Sequence, residues 1–510
     1  MSKRYFVLAL FLSASPAIAQ DVPTVVSAED FAALRAELKA LRDEVAALKS
    51  GQANEITQLK SAQAKIAAPI WKGAPQLEDK ASGWSFKPRG RLHVDTGYVS
   101  TPGEFNVNQN LGTATRIRRL RIGIEGTVPG GFGYKAEVDT ANANVAFGDV
   151  VLTYRKSPSS PFGVIVGNFE LNTLEQIASS NFVSFTERSQ MNEAFINARR
   201  LGIGLNFKTK DDVLRADVGL FSAHSIDNSI DNDGWIGATR IVYAPKIKGG
   251  FIHLGANFQH REFQSNNAGT ASTSNLAPST NQLARYRARP FTQLTDVRFV
   301  DTGSFAAKGD TLIGGEIAGI FGPLHFASEA QYVKVNAYRA GDIATGLNIF
   351  SSGNVAVVPT GNPNFLSAYG EVGYFFTGET RGYKDGIWGR TKVKAPLGKG
   401  GWGALQAVAR VDWLDLNDEA LQNGVSNNFT TGATSLATAN VRLARGGTQI
   451  GYLLGVNWLP MDHLRFMLNY THAAIQGGPF AAIVDPTSTA PIDQTKFGID
   501  VIAVRAQVDF

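Results

Sequence analysis

Gln494-Thr495-Lys496-Phe497-Gly498-Ile499-Asp500-Val501-Ile502-Ala503-Val504-Arg505-Ala506-Gln507-Val508-Asp509-Phe510 closes the chain. Ile502, Val504, Ala506, Val508 and Phe510 fall on one face, and Val501, Ala503, Arg505, Gln507 and Asp509 on the other. A period of two, apolar on one side and mostly polar on the other, is that of a barrel strand between lipid and water. A final aromatic is usual for chains bound for the bacterial outer membrane. The same alternation occurs in soluble sandwiches, so the remainder of the sequence has to support the barrel.

At the other end, Lys3 and Arg4 precede the apolar run Tyr5 to Leu12, and Ala17-Ile18-Ala19 offers small residues to a signal peptidase. Residues 1–19 are expected to be an export signal. The run is far shorter than the roughly 20 apolar residues a membrane-spanning helix needs. The chain has no cysteine, which removes disulfides, thiolate metal sites and cysteine catalysis. A mean hydropathy of −0.09 suits a barrel, because only alternate residues meet lipid. The formal charge of +5 is too small to indicate a nucleic-acid partner, so the placement of the arginines matters more than their sum.

Three regions follow the signal. In residues 20–66, Phe31, Leu34, Leu38, Leu41, Val45 and Leu48 alternate spacings of three and four, the a and d positions of a coiled coil. This segment is expected to be a periplasmic, self-associating stalk, the alternative being a lone amphipathic helix. Residues 67–85, with Pro69, Pro75 and Gly83, are expected to be a linker. Residues 86–510 alternate throughout, in segments beginning near Phe86, Ile117, Gly133, Ala146, Pro161, Arg199, Asp212, Trp235, Gly250, Asp310, Leu324, Phe365, Trp402, Thr448, His463 and Gln494. The fold class expected is an all-β transmembrane barrel of about 16 antiparallel strands. Short links such as Gly322-Pro323 alternate with long ones near 170–197, 262–309, 336–364, 416–440 and 475–493. Thr377 to Gly401 breaks that rule: it is expected to be one long periplasmic turn, or else two further strands, making eighteen.

Several ordered motifs carry a family resemblance: Arg118-Arg119-Leu120-Arg121-Ile122-Gly123, Thr186-Glu187-Arg188-Ser189, Arg287-Ala288-Arg289-Pro290, Gly373-Tyr374-Phe375-Phe376-Thr377-Gly378-Glu379 and Gly455-Val456-Asn457-Trp458. Together they resemble the phosphate-selective porin O and P family over the whole barrel. The resemblance implies a homotrimer of sixteen-stranded, anion-selective channels in the outer membrane of a Gram-negative bacterium. It also implies inward-folded loops, arginines that pass anions along the lumen, and no cofactor. A coiled-coil stalk also occurs in members of that family.

By alternation alone, Arg89, Arg91, Arg119, Arg121, Arg200, Arg215, Arg410 and Arg505 face the lumen. Guanidinium groups stay charged and bind phosphate or carboxylate with a planar fork, and several moderate sites in a row let an ion move on. Each arginine has a structural alternative, pairing with an inward acid such as Asp95, Glu125, Asp217, Glu316, Glu371 or Asp412. Arg285, Arg287, Arg289 and Arg298 form the densest basic cluster, in the longest loop. It is read as a constriction or vestibule, against the plainer reading of a solvated loop touching lipopolysaccharide. The loop from Glu170 to Asn197 sets four glutamates, Glu170, Glu175, Glu187 and Glu193, against Arg188. Phosphate-specific members of the family are expected to carry lysine at such a constriction, and this stretch has none. A general or weakly anion-preferring porin is therefore expected.

No histidine pair has metal spacing and no nucleophile motif occurs, so no enzyme activity is expected. Asp227, Asn228, Asp231, Asn232 and Asp233 resemble a calcium-binding loop, but a polar loop tip is the ordinary reading and no metal site is assigned. The contrasting function is a structural one, in which the stalk binds peptidoglycan or other envelope components and the barrel is only an anchor.

Overall fold

The structure is a computed structural model that describes residues 27–65, 69–71, 73–79, 81–106, 110–141, 145–195, 197–223, 226, 234–263, 283–338, 355–422, 425–428, 433–435 and 446–510. The signal segment 1–19 and the candidate calcium loop around Asp231 lie outside them. Two compact units result, Met1–Ala68 and Pro69–Phe510.

The first unit holds one helix, α1 (Ala28–Lys65). Ser27 and Asp30 start it with a reciprocal cap: Ser27 Oγ accepts from the Asp30 amide at 3.1 Å, and the Asp30 carboxylate accepts from the Ser27 amide at 3.2 Å. The heptad residues Phe31, Leu34, Leu38, Leu41, Val45 and Leu48 are all exposed on this helix.

The second unit is a closed antiparallel barrel of 16 strands. In chain order these are β1 (Trp84–Val99), β2 (Gly112–Val128), β3 (Phe132–Asp139), β4 (Ala146–Tyr154), β5 (Phe162–Phe169), β6 (Arg200–Lys208), β7 (Leu214–Ser222) and β8 (Trp235–Tyr243). They continue with β9 (Gly250–Glu262), β10 (Phe305–Phe321), β11 (Leu324–Ala337), β12 (Asn364–Phe375), β13 (Ala404–Asp415), β14 (Thr448–Met461), β15 (Leu464–Gln476) and β16 (Lys496–Asp509). Each pairs with its neighbours in sequence, and β16 closes on β1 from Val501↔Val99 to Asp509↔Arg91. Phe510 finishes the seam: its amide donates to the Gly90 carbonyl at 3.0 Å, and its ring lies where a Cβ on residue 90 would stand.

Alternation drives this closure. Outward side chains such as Ile122, Leu152, Leu205, Leu454 and Val504 are exposed and apolar, while His93, Arg505 and Asp412 on the inner face are buried. Trp84, Phe132, Phe162, Tyr243, Phe376 and Trp402 stand exposed at the rim of the short turns, the aromatic girdle of an outer-membrane barrel. The Thr377–Gly401 segment adds no strand to the wall, so the count is sixteen and not eighteen. Two local features depart from the sequence reading. The expected linker contributes Pro75–Asp79, which pairs with β1 through Leu77↔Phe86 across a turn at Gly83, whose φ of 82° suits glycine. A β-bulge shifts register between His93↔Arg119 and Val94↔Ile117, so Arg118 is the extra residue on β2.

Candidate functional site

Among the described residues, three segments enter the lumen. The first is the loop 170–199, here L3, which leaves the loop rim after β5 and lies on the inner faces of β12 to β16. Side chains of the wall take up its backbone groups: Asn457 donates to the Ser184 carbonyl at 3.0 Å, Arg465 to that of Val183 at 2.8 Å and Gln507 to that of Asn181 at 3.0 Å. The amide of Thr186 donates to Asn469 at 2.8 Å. The loop's own Leu174, Phe185 and Met191 are buried. A segment inside the barrel is possible only if its peptide groups are so satisfied.

The second is residues 283–304, here L5, the described part of the long link that precedes β10. Phe291 sits over Gly451 and Leu294 over Gly97, where any Cβ would collide with them. Phe299 packs among Phe105, Phe480 and Phe497. Tyr286 is buried against Phe365 and donates to Asp310 at 2.6 Å.

The third is the long turn on the short-turn rim. Its hairpin, Gly382–Lys384 against Ile387–Gly389, reverses at Asp385 and Gly386 with φ of 57° and 75°, as a two-residue turn of mirror-image type requires. The hairpin points into the barrel. Arg240 donates to the Gly386 carbonyl at 3.0 Å, Arg215 pairs with Asp385, and the Tyr383 hydroxyl lies 2.6 Å from His253 Nδ1. Arg381 lies 3.9 Å from the Trp388 ring centroid and 3.0 Å from Glu371. Alternation could not show this inward course, because the segment is not part of the wall.

Between the β1–β4 wall, L3 and this hairpin lies a cavity of about 770 Å³. Arg89, Arg91, Arg119, Arg121 and Arg188 all line it, so the structure brings five of the expected anion-path arginines to one place. Arg199, Arg390, Lys135 and Lys384 join them, giving nine basic residues against four acidic ones, Glu125, Glu137, Asp149 and Asp385. Several are paired: Arg89 with Glu125, Arg91 with Glu137 at 3.0 Å, and Arg121 with Glu137 and Asp139 at 3.0 and 2.8 Å. Arg119 differs. It is only 6% exposed, and among the described residues it makes no hydrogen bond or ion pair. Arg188 spends two donors on the carbonyls of Glu175 (3.0 Å) and Ala178 (2.7 Å) and, among the described residues, meets no carboxylate within ion-pair distance. Burial lowers its affinity for the proton, Glu170 and Glu175 oppose that, and Arg199 and Arg121 add to it, so the net shift is downward. The guanidinium nonetheless remains charged at any working pH.

Towards the loop rim, Arg285 pairs with Asp301, and Arg289 with Glu193 at 2.8 Å and Asp296 at 3.0 Å. Arg298 donates to the Asp296 carbonyl at 3.1 Å, and Arg287 forms no ion pair among the described residues. Burial and then neighbouring arginines push both below the usual arginine value, Arg285 acting on Arg287 and Arg289 on Arg298. Arg116 and Arg118 on β2 continue the series inward. Arg116 donates to the Gln293 carbonyl and Arg118 grips Glu187. Sequence alternation missed Arg118 because the bulge reverses the parity of β2.

Other expected path residues lie elsewhere. Arg505 is 0% exposed, held by Asp95 at 2.6 Å and Glu187 at 3.1 Å, and Arg410 is 3% exposed between Glu175 and Glu371. Both brace the wall and L3 and cannot touch a passing ion, which corrects their assignment to the path. Arg200, at the top of β6, donates to the Ala223 carbonyl at 3.2 Å, and Arg215 is tied to Asp212 and the hairpin. The acidic character of L3 is also altered by folding. Glu170 pairs with Arg199 at 3.2 Å, Glu175 with Arg410, Glu187 with Arg118 at 2.7 Å and Glu193 with Arg289 at 2.8 Å. Each glutamate is thus matched by an arginine from outside the acidic stretch.

The family model described as phosphate-selective porin O and P matches residues 86–482. The chain belongs to the phosphate-selective porin O and P family. This porin is an outer-membrane protein. An uncharacterised protein of Caulobacter vibrioides is 29% identical to it over 98% of this chain and 94% of its own length. Among solved structures, the outer-membrane channel DcaP of Acinetobacter baumannii is similar at 13% identity and a TM-score of 0.46, covering 85% of this porin and 99% of DcaP. The anion-selective porin of Comamonas acidovorans is similar at 10% identity and a TM-score of 0.42, covering 84% and 100%.

Proposed function

We propose that this porin passes small anions by passive diffusion, as a homotrimer with the short-turn rim and α1 in the periplasm. One observation carries the reading: Arg119, nearly enclosed and without a hydrogen-bonding or ion-pair partner among the described residues, faces a cavity in which basic residues outnumber acidic ones by nine to four. An unmatched buried guanidinium is costly unless a mobile anion visits it. Arg287 and Arg298 supply the next positive stations towards the loop rim. Several moderate sites in series, and not one deep one, are what conduction needs.

The pairing of the L3 glutamates removes the objection that this loop would repel anions. The exposed heptad face of α1 supports a trimeric stalk, since a narrow apolar stripe of that length is buried when three copies associate. Reversal potentials of the reconstituted protein in a potassium chloride gradient test the proposal. Anion preference that falls in Arg119→Gln and in Arg287→Ala with Arg289→Ala supports it, and firm cation preference of the native protein overturns it. Triplet closing steps support the trimer.

A further inference from the structure

The charges that flank the apolar stripe of α1 are sorted by position. With Phe31, Leu38 and Val45 at a and Leu34, Leu41 and Leu48 at d, the g positions hold Asp30, Glu37 and Glu44, all acidic, and the e positions hold Arg35, Arg42 and Lys49, all basic. All six are exposed. A single helix gives no reason for this order. Opposite charges support an isolated helix when they stand three or four residues apart, and α1 has one such pair, Lys39 with Asp43, at positions b and f away from the stripe. Each g acid instead stands five residues before an e base, on the opposite edge of the stripe, where the two cannot meet within one helix.

Between two copies the order does find partners. In a parallel coiled coil the g residue of one helix lies against the e residue of the next heptad on its neighbour, so Asp30 meets Arg35, Glu37 meets Arg42 and Glu44 meets Lys49 of a second copy. In an antiparallel pair g lies against g and e against e, which sets carboxylate against carboxylate and cation against cation. Copies of one barrel enter a membrane in the same orientation, so their N-terminal helices also run the same way. The pattern ends with Lys49: Gly51 and Gln58 follow at g, Ile56 and Gln63 at e, and Gln52 and Glu55 replace apolar residues at a and d.

We infer that the stretch from Asp30 to Lys49 is a self-recognition element, which joins copies of this chain as a parallel coiled coil through g-to-e ion pairs. The stripe supplies the attraction, and the charges select against antiparallel pairing and against helices of other sequence. This rests on the stalk reading above and adds which residues recognise which. Asp30 also serves the N-terminal cap of α1, so the test bears on the other two pairs.

The chain has no cysteine, so a single introduced one reports on its own position. Leu34→Cys and Leu48→Cys are made separately in the full-length protein, oxidised in detergent and run on denaturing gels. Parallel helices in register bring each d residue against the same residue of another copy, so each variant is expected to cross-link by itself. In Leu34→Cys, adding Glu37→Arg and Glu44→Arg sets like charges against each other and is expected to lower the cross-linked yield about fivefold. Adding Arg42→Glu and Lys49→Glu to that protein reverses both pairs and is expected to restore the yield, which a helix damaged by the first changes would not do. Cross-links that persist through the charge change, or that are not restored, overturn the inference. Links formed only when the two cysteine variants are mixed, between positions 34 and 48, show antiparallel helices and overturn it as well. Absence of any cross-link in protein that conducts overturns the stalk reading beneath it and leaves the channel in place.

Discussion

Arg118 and Glu187 form a two-point ion pair, Nε to Oε1 at 2.7 Å and Nη2 to Oε2 at 2.9 Å, between the bulge of β2 and the inward loop L3. Arg505 reaches the same carboxylate at 3.1 Å while holding Asp95, so one glutamate ties L3 to both sides of the barrel seam. L3 is thereby fixed at the height where Arg119 and Arg188 face the cavity. Glu187→Gln leaves two arginines short of a partner and is expected to lower the stability of the folded barrel by about 3 kcal/mol. Noisier single-channel currents should accompany it, and thermal unfolding in detergent checks the loss.

The same carboxyl gives a pH dependence. Burial raises its affinity for the proton, but the charge and hydrogen bonds of Arg118, then Arg505, more than reverse this and hold it well below the usual glutamate range. A depressed value in the folded state means that the stabilisation is present at neutral pH and is lost only as pH falls through the folded value. The Glu187 anchor is therefore expected to persist down past the ordinary glutamate range, about pH 4.3. A transition between pH 5 and 6 that disappears in Glu187→Gln would contradict this.

Arg119 and Arg505 should behave oppositely when removed. Arg119→Gln strands no carboxylate, so the barrel is expected to assemble normally while the chloride-to-potassium permeability ratio falls about threefold. Arg505→Gln leaves Asp95 buried without its partner and is expected to cost about 3–5 kcal/mol of stability. Heat-modified mobility on gels and reversal potentials separate the two outcomes.

Gly451 seats L5. An added Cβ would lie 2.1 Å from the Phe291 ring, so Gly451→Ala must displace that ring or the strand. A cost of about 1–3 kcal/mol is expected, together with altered conductance as the segment carrying Arg287 shifts. Unchanged single-channel conductance in a correctly assembled variant would show that L5 does not bound the current path.

Leu38→Glu with Leu41→Glu places charge on the exposed heptad face of α1. Trimers are expected to dissociate at lower detergent or temperature than native ones, while each barrel keeps its strand signature in circular dichroism. Trimers of native resistance would remove the stalk from the assembly.

Much of the wall was legible because strand alternation is local. Whether Val504 meets lipid and Arg505 the interior follows from their places in one strand, and repeating that for each segment gives sixteen strands and two kinds of link. The first limit of this rule is the bulge at Arg118, a single extra residue that exchanges inside for outside beyond it and has no mark of its own in the sequence. The second is the hairpin at Asp385-Gly386, whose turn signal is plain but whose inward direction is imposed by Arg240, Arg215 and His253 from distant strands.

The sequence by itself determined a barrel of alternating strands, an amphipathic helix before it, and a lumen rich in arginine, because each of these depends on the order of neighbouring residues. The tertiary structure alone decided which arginines are spent on carboxylates and which are left to face the cavity. Ion pairing is a matter of distance and burial: Glu187 lies 69 positions from Arg118 and 318 from Arg505, and no local pattern connects them. Only when L3, L5 and the hairpin share the lumen do Arg410 and Arg505 become braces and Arg119 a charge with no hydrogen-bonding or ion-pair partner among the described residues.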